Sequence, residues 1–97
     1  MSFKRICSAI ILGKRYTFGF GFAGSQKRIP DDGACQYHNK RVIIRSKDRG
    51  RSESLLECVI HECAHARFPD LTESAVDDFS RMTTTVYNKM QSHEKDP

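Results

Sequence analysis

LLECVIHECAHARFPD, residues 55–70, is the stretch on which the reading of this chain turns. It contains His61-Glu62-Cys63-Ala64-His65, an H-E-x-x-H pattern. Ser54 with Glu57 three residues on is a capping box, and Pro69 supplies a stop, so the stretch reads as a helix to about Phe68. On a helix, residues four apart stand one above the other, so both imidazoles can grip one metal ion. Glu62 then lies beside the open coordination position. Two ligands, a general base and room for water are what a zinc hydrolase needs. At about 100° per residue, Leu55, Leu56, Val59, Ile60, Cys63 and Ala66 share an apolar face. His61, His65 and Cys58 fall on the other side, so the core face and the histidine face are expected to be separate.

Catalytic zinc holds three protein groups and a water, so a third ligand must come from elsewhere. The metzincin continuation fails, because Phe68 and Leu71 stand where its glycine and third histidine would be. A carboxylate is the natural completion. A second helix is expected from Leu71 or Thr72 to about Met90, with Leu71, Ala75, Phe79, Met82, Val86 and Met90 as its apolar stripe. Glu73 in its first turn is the expected third ligand, with Asp77 next and Asp70, His38 or water behind. A competing reading makes Asp70 the N-cap and Glu73 its capping-box partner. Cys58 is a weaker ligand candidate, and Cys63 reads as a buried thiol. Residues 91–97 read as a frayed polar tail.

Upstream the pattern is β. The run Ile6–Leu12 follows Lys4-Arg5 but is short and lacks a small-residue cleavage site, so it reads as a strand rather than a signal peptide. Ile10–Phe22 continues as β structure, with Phe18, Phe20 and Phe22 on one face. Gly19 and Gly21 between them imply a bend, a bulge or a close backbone approach. Aromatic rings on a sheet can stack RNA bases, but the order of elements does not suit that fold, so the three rings are assigned to the core. Residues 24–33 read as a loop, and Ala34–His38 with Lys40–Ser46 as a hairpin. Strands followed by two helices give an α+β class. The expectation is one domain over residues 1–97, with a small antiparallel sheet of about three strands.

Ninety-seven residues form a modest core, to which a bound metal would add stability. Residues 1–51 carry 12 Lys/Arg against 3 Asp/Glu, while residues 52–97 carry 4 against 9. The bland reading is a basic sheet half docked on an acidic helical half; the sharper one is a basic surface for nucleic acid. The four cysteines include no C-x-x-C pair, and free thiols in a reducing cytoplasm are expected. No apolar run is long enough for a bilayer, so no membrane partner is expected.

From Lys40 to about Met82 the chain resembles small zincin-like metallopeptidases of phages and prophages, related in pattern to the SprT-like and minimal gluzincin groups. The resemblance rests on Arg41-Val42-Ile43-Ile44, Ser52-Glu53, Leu56, Val59-Ile60-His61-Glu62, His65-Ala66, Phe68-Pro69-Asp70-Leu71 and Glu73, and covers less than half the chain. It implies a zincin-like fold, Zn²⁺ on His61, His65 and a downstream acidic residue, and a peptidase reaction with Glu62 as base. It also implies that Val42–Ser46 is an edge strand along which an extended peptide pairs. The three-histidine version of SprT-like sites has no counterpart, because His93 in the tail is the only histidine downstream. If the chain is phage-encoded, the cytoplasm in question is the host's. Tyr37 or Tyr87 could steady an oxyanion. The rival functions are a metal-dependent hydrolase of nucleic acid and a non-catalytic zinc- or nucleic-acid-binding module. Nothing in the sequence sets the oligomeric state.

Overall fold

A two-residue turn hides inside the N-terminal β run. Leu12 and Gly13 both take positive φ, 54° and 74°, as a tight hairpin turn requires. They split the run into β1 (Phe3–Ile11) and β2 (Lys14–Gly21), which pair antiparallel. The computed structural model describes residues 3–21, 32–47 and 50–94. Phe22, most of the loop assigned to residues 24–33, and tail residues 95–97 lie outside the described residues.

The second hairpin is present as expected. β3 (Gly33–Gln36) and β4 (Arg41–Ile44) pair antiparallel, and Lys40 in the turn between them has φ 54°. The sheet as a whole differs from expectation. Among the described residues it has four strands in the order β1-β2-β4-β3, and β2 runs parallel to β4. The antiparallel three-stranded sheet is therefore corrected to a mixed four-stranded one. The Val42 strand is also not an edge: β4 is hydrogen-bonded to β2 on one side and β3 on the other. Its composition agrees with a central position, since Val42, Ile43 and Ile44 are all buried although successive side chains point to opposite faces. Among the described residues the edges are β1 and β3.

Tyr16, Val42, Ile44, Cys58 and Ala66 form the core, with Ile11, Phe18, Phe20 and Cys35 packed around it. Phe18 and Phe20 thus face the core, as the alternation implied. Gly19 points the other way and permits a close approach of β1, whose register shifts between Arg5 and Cys7. A Cβ at Gly19 would collide with the Lys4 carbonyl and come within 2.8 Å of the Phe3 ring. Gly19→Ala is therefore expected to cost about 2–3 kcal/mol, since overpacking against backbone has no rotamer escape. Urea unfolding measures it, and a loss within error of zero would mean that the strands do not approach so closely.

Helix α1 (Leu55–Arg67) is capped by Ser54, whose side chain accepts from the Glu57 amide, and ends at Phe68 just before Pro69. It packs on β3 and β4 and against helix α2 (Glu73–Glu94). Contacts on two sides change which residues it buries. Cys58, Glu62 and Ala66, at four-residue spacing, are buried along with Ala64. Leu55, on the expected apolar face, is 43% exposed. Core face and histidine face are thus neighbours rather than opposites, because α1 lies between the sheet and α2.

The cap of α2 is Thr72, not Asp70: the Thr72 hydroxyl accepts from the Ala75 amide and its carbonyl from Val76. The helix also continues through residues 91–94, which the sequence suggested would fray. Its buried residues are Val76, Ser80 and Thr84, a row of small side chains that lets two helices approach closely. The expected apolar stripe of α2 faces outward instead.

Candidate metal centre

The short turn from Phe68 to Thr72 folds α2 back so that its first residue, Glu73, meets the two histidines. Glu73 Oε2 lies 3.0 Å from His61 Nε2, and Glu73 Oε1 lies 2.9 Å from His65 Nε2. The two Nε2 atoms are 3.2 Å apart. Because Thr72 does the capping, Glu73 is not held in a capping box, and its side chain reaches across to α1. His61, His65 and Glu73 form a group of donor atoms that could hold a metal ion. A tetrahedral zinc with ligands at about 2.0–2.1 Å separates its donor atoms by roughly 3.3 Å, and the observed spacings come close to that.

The hydrogen-bonding atoms leave a place for a cation or a proton. Asp77 Oδ1 sits 3.2 Å from His61 Nδ1 and draws the ring proton to that nitrogen. Nε2 of neutral His61 is then bare, facing another imidazole nitrogen and a carboxylate. Either extra protons or a metal ion must reconcile these acceptors. Asp77, the second choice as a ligand, stands outside the donor group and faces the far nitrogen of the His61 ring.

His61 and His65 are largely enclosed, at 13% and 17% side-chain exposure, while Glu73 is 67% exposed. All three line a cleft of about 460 Å³ between β3, α1 and α2, with Glu62 and Asp77. Glu62 is buried and reaches toward β3, where its Oε2 would be 3.2 Å from a Cβ on Gly33. The missing side chain at Gly33 therefore makes room for this carboxylate. Tyr37 lines the cleft and donates its hydroxyl to the His65 carbonyl at 2.8 Å, satisfying a group in the last turn of α1. Burial, with Cys35 beside it, raises the Tyr37 pKa, so the phenol stays a donor. Tyr87 is on the distal half of α2 and His38 in the β3–β4 turn, and neither lines the cleft.

The buried thiols resist ionisation in the metal-free protein. All four cysteines are free. Burial, helped by Glu62 and Cys63, pushes the Cys35 thiol up to about 11. Burial and then Glu53 push Cys58 up to about 12. Cys58 also belongs to a second group, with Asp32 and Glu53, whose donor atoms lie close enough for a metal. Those residues have other occupations. The Cys58 thiol is 3.9 Å from Glu53 Oε1, and Asp32 accepts from the Ser52 amide and hydroxyl and the Glu53 amide. Asp32 is a staple from the start of β3 to the approach to α1. Sequence reasoning saw only turn chemistry there, and Ser52-Glu53 gave no signal of the partner 20 residues away.

Burial opposes ionisation of Asp32, but the Glu53 and Ser52 hydrogen bonds and the charge of Arg45 outweigh it and lower its pKa. A lowered folded pKa gives stability that is full above the ordinary value of 3.8 and fades as pH falls through the folded value. Asp32→Asn is therefore expected to lose about 1–2 kcal/mol at pH 7, and the gap to wild type should close in acid. Denaturant titrations at pH 7 and pH 3 test this; a gap that widens in acid would contradict it.

No match decides the family. No family model, curated protein or solved structure matches this chain. The α+β architecture and the donor cluster stand on their own geometry, and the zincin-like resemblance is carried by the sequence pattern.

Proposed function

We propose that the chain is a zinc-dependent hydrolase of peptide bonds, with His61, His65 and Glu73 as ligands and Glu62 as general base. The observation that carries this is the convergence of two Nε2 atoms and a carboxylate at 2.9–3.2 Å, beside a buried Glu62. Zinc at such a site supplies Lewis-acid polarisation of a carbonyl and makes water acidic enough to deprotonate near neutral pH. Glu62 takes that proton and returns it to the departing amine. Asp77 holds His61 in the tautomer that presents Nε2.

Two features favour a peptide over a nucleic acid. The cleft is lined by Asp32, Glu53, Glu62, Glu73 and Asp77, with no Lys or Arg among the described lining residues, which repels a phosphodiester backbone. Among the described residues β3 borders the cleft as an edge strand, so an extended substrate would pair there, in place of the Val42 strand.

Metal analysis of the purified protein with cleavage of a reduced, carboxymethylated protein substrate tests the reading. The expected result is one zinc per chain and cleavage that a chelator stops and zinc restores. A protein that purifies and reconstitutes without zinc rejects the site; a loaded protein that leaves the unfolded substrate intact rejects the peptidase assignment.

A further inference from the structure

The apolar face of α2 turned away from its own domain fits a second copy of this chain. Leu71, Phe79, Met82, Val86 and Met90 are 43–68% exposed, and Ala75 lies among them. At 100° per residue the five within the helix, Ala75, Phe79, Met82, Val86 and Met90, occupy an arc centred about 120° from the buried row Val76, Ser80, Thr84. The last ten residues of the helix, 85–94, are all exposed. An apolar stripe extending past the supporting domain is not explained by the fold of one copy.

We propose that this face forms an antiparallel homodimer, α2 against α2 across a twofold axis between Met82 and Thr83. Ala75, Phe79, Met82 and Val86 are spaced 4, 3 and 4 apart, the seam of a left-handed helix pair. In the antiparallel register Phe79 meets Val86 and Ala75 meets Met90, large against small on both sides of the axis. Charge selects the same arrangement. Glu73, Asp77, Asp78 and Arg81 lie in the first half of α2, a net −2, and Lys89, His93 and Glu94 in the second, a net of zero with His93 neutral. Asp78 and Lys89 share one flank of the stripe, so each Asp78 meets the partner's Lys89, whereas a parallel pair would set like charges at the same level. Large side chains about half exposed contribute on the order of 100 Å² each, giving roughly 1,000–1,200 Å² for the pair, the lower bound for a specific interface. The dimer is therefore reversible. Glu73 and Asp77 point with the buried row, so the cleft stays open on both copies.

Sedimentation velocity on the full chain from 5 to 500 µM tests this without reference to zinc or turnover. The expected result is a monomer–dimer equilibrium in that range. Val86→Asp, exposed and so neutral for folding by circular dichroism, should leave only monomer. Asp78→Lys should weaken association about tenfold, and Asp78→Lys with Lys89→Asp should restore it. A wild type that stays monomeric at 500 µM overturns the proposal, whether or not it then binds lipid vesicles or another protein. A dimer that survives Val86→Asp overturns the surface, and failure of the double charge swap to restore association overturns the antiparallel register.

Discussion

Glu62→Gln is expected to abolish peptide cleavage while the protein keeps its zinc. The change preserves shape and removes only the basicity, so turnover should fall about 10²–10⁴-fold, the usual contribution of a general base. The proposed ligands His61, His65 and Glu73 are untouched, so metal content should remain one per chain. The fold should also tolerate the change, because the Gly33 notch that receives the carboxylate receives an amide of the same size. Cleavage rate, bound zinc and melting temperature measured on one preparation separate the outcomes. Undiminished turnover with full zinc would remove Glu62 from the mechanism. Joint loss of zinc and stability would instead make it a structural group.

His61→Ala and Asp77→Ala should both weaken zinc binding, and the ratio between them is the informative quantity. His61 is a proposed donor, and if three ligands shared a zinc-binding energy of about 10–16 kcal/mol equally, losing one would cost roughly 10²–10⁴-fold in affinity. Asp77 only faces the far nitrogen of the His61 ring, at 3.2 Å, and such outer partners are worth about 10–100-fold. Competition with a zinc indicator gives both numbers. The zinc-induced rise in melting temperature should shrink in the same order, since it follows the ratio of free zinc to dissociation constant. Equal losses would make Asp77 a direct ligand, and no loss in His61→Ala would remove the site altogether.

Much of α1 was legible from sequence because its signals are local. Ser54 caps it, Pro69 follows its end, and the H-E-x-x-H spacing fixes both histidines on one side. Glu73 was legible by chemical need, since a third donor had to follow within a short turn. Non-local pairing was not legible. The Leu12-Gly13 turn lacks the usual Asn or Asp, so two strands read as one run. Parallel pairing of β2 with β4 depends on the route of the chain between them, which no periodicity encodes. The direction of the α2 stripe was missed because hydrophobicity identifies a face that avoids water, not what covers it. α1 accepts the row of small residues instead, and the large ones are left outside. The partnership of Asp32 with Ser52 and Glu53 has no sequence signature at all.

The hydrogen bond from Tyr37 to the His65 carbonyl has a mechanical consequence. Tyr37 directly follows the last residue of β3, and His65 is itself one of the clustered donors. The phenol therefore links the end of that strand to the backbone of His65. The position of the hairpin is thus tied directly to the backbone of one of the histidines proposed to hold zinc.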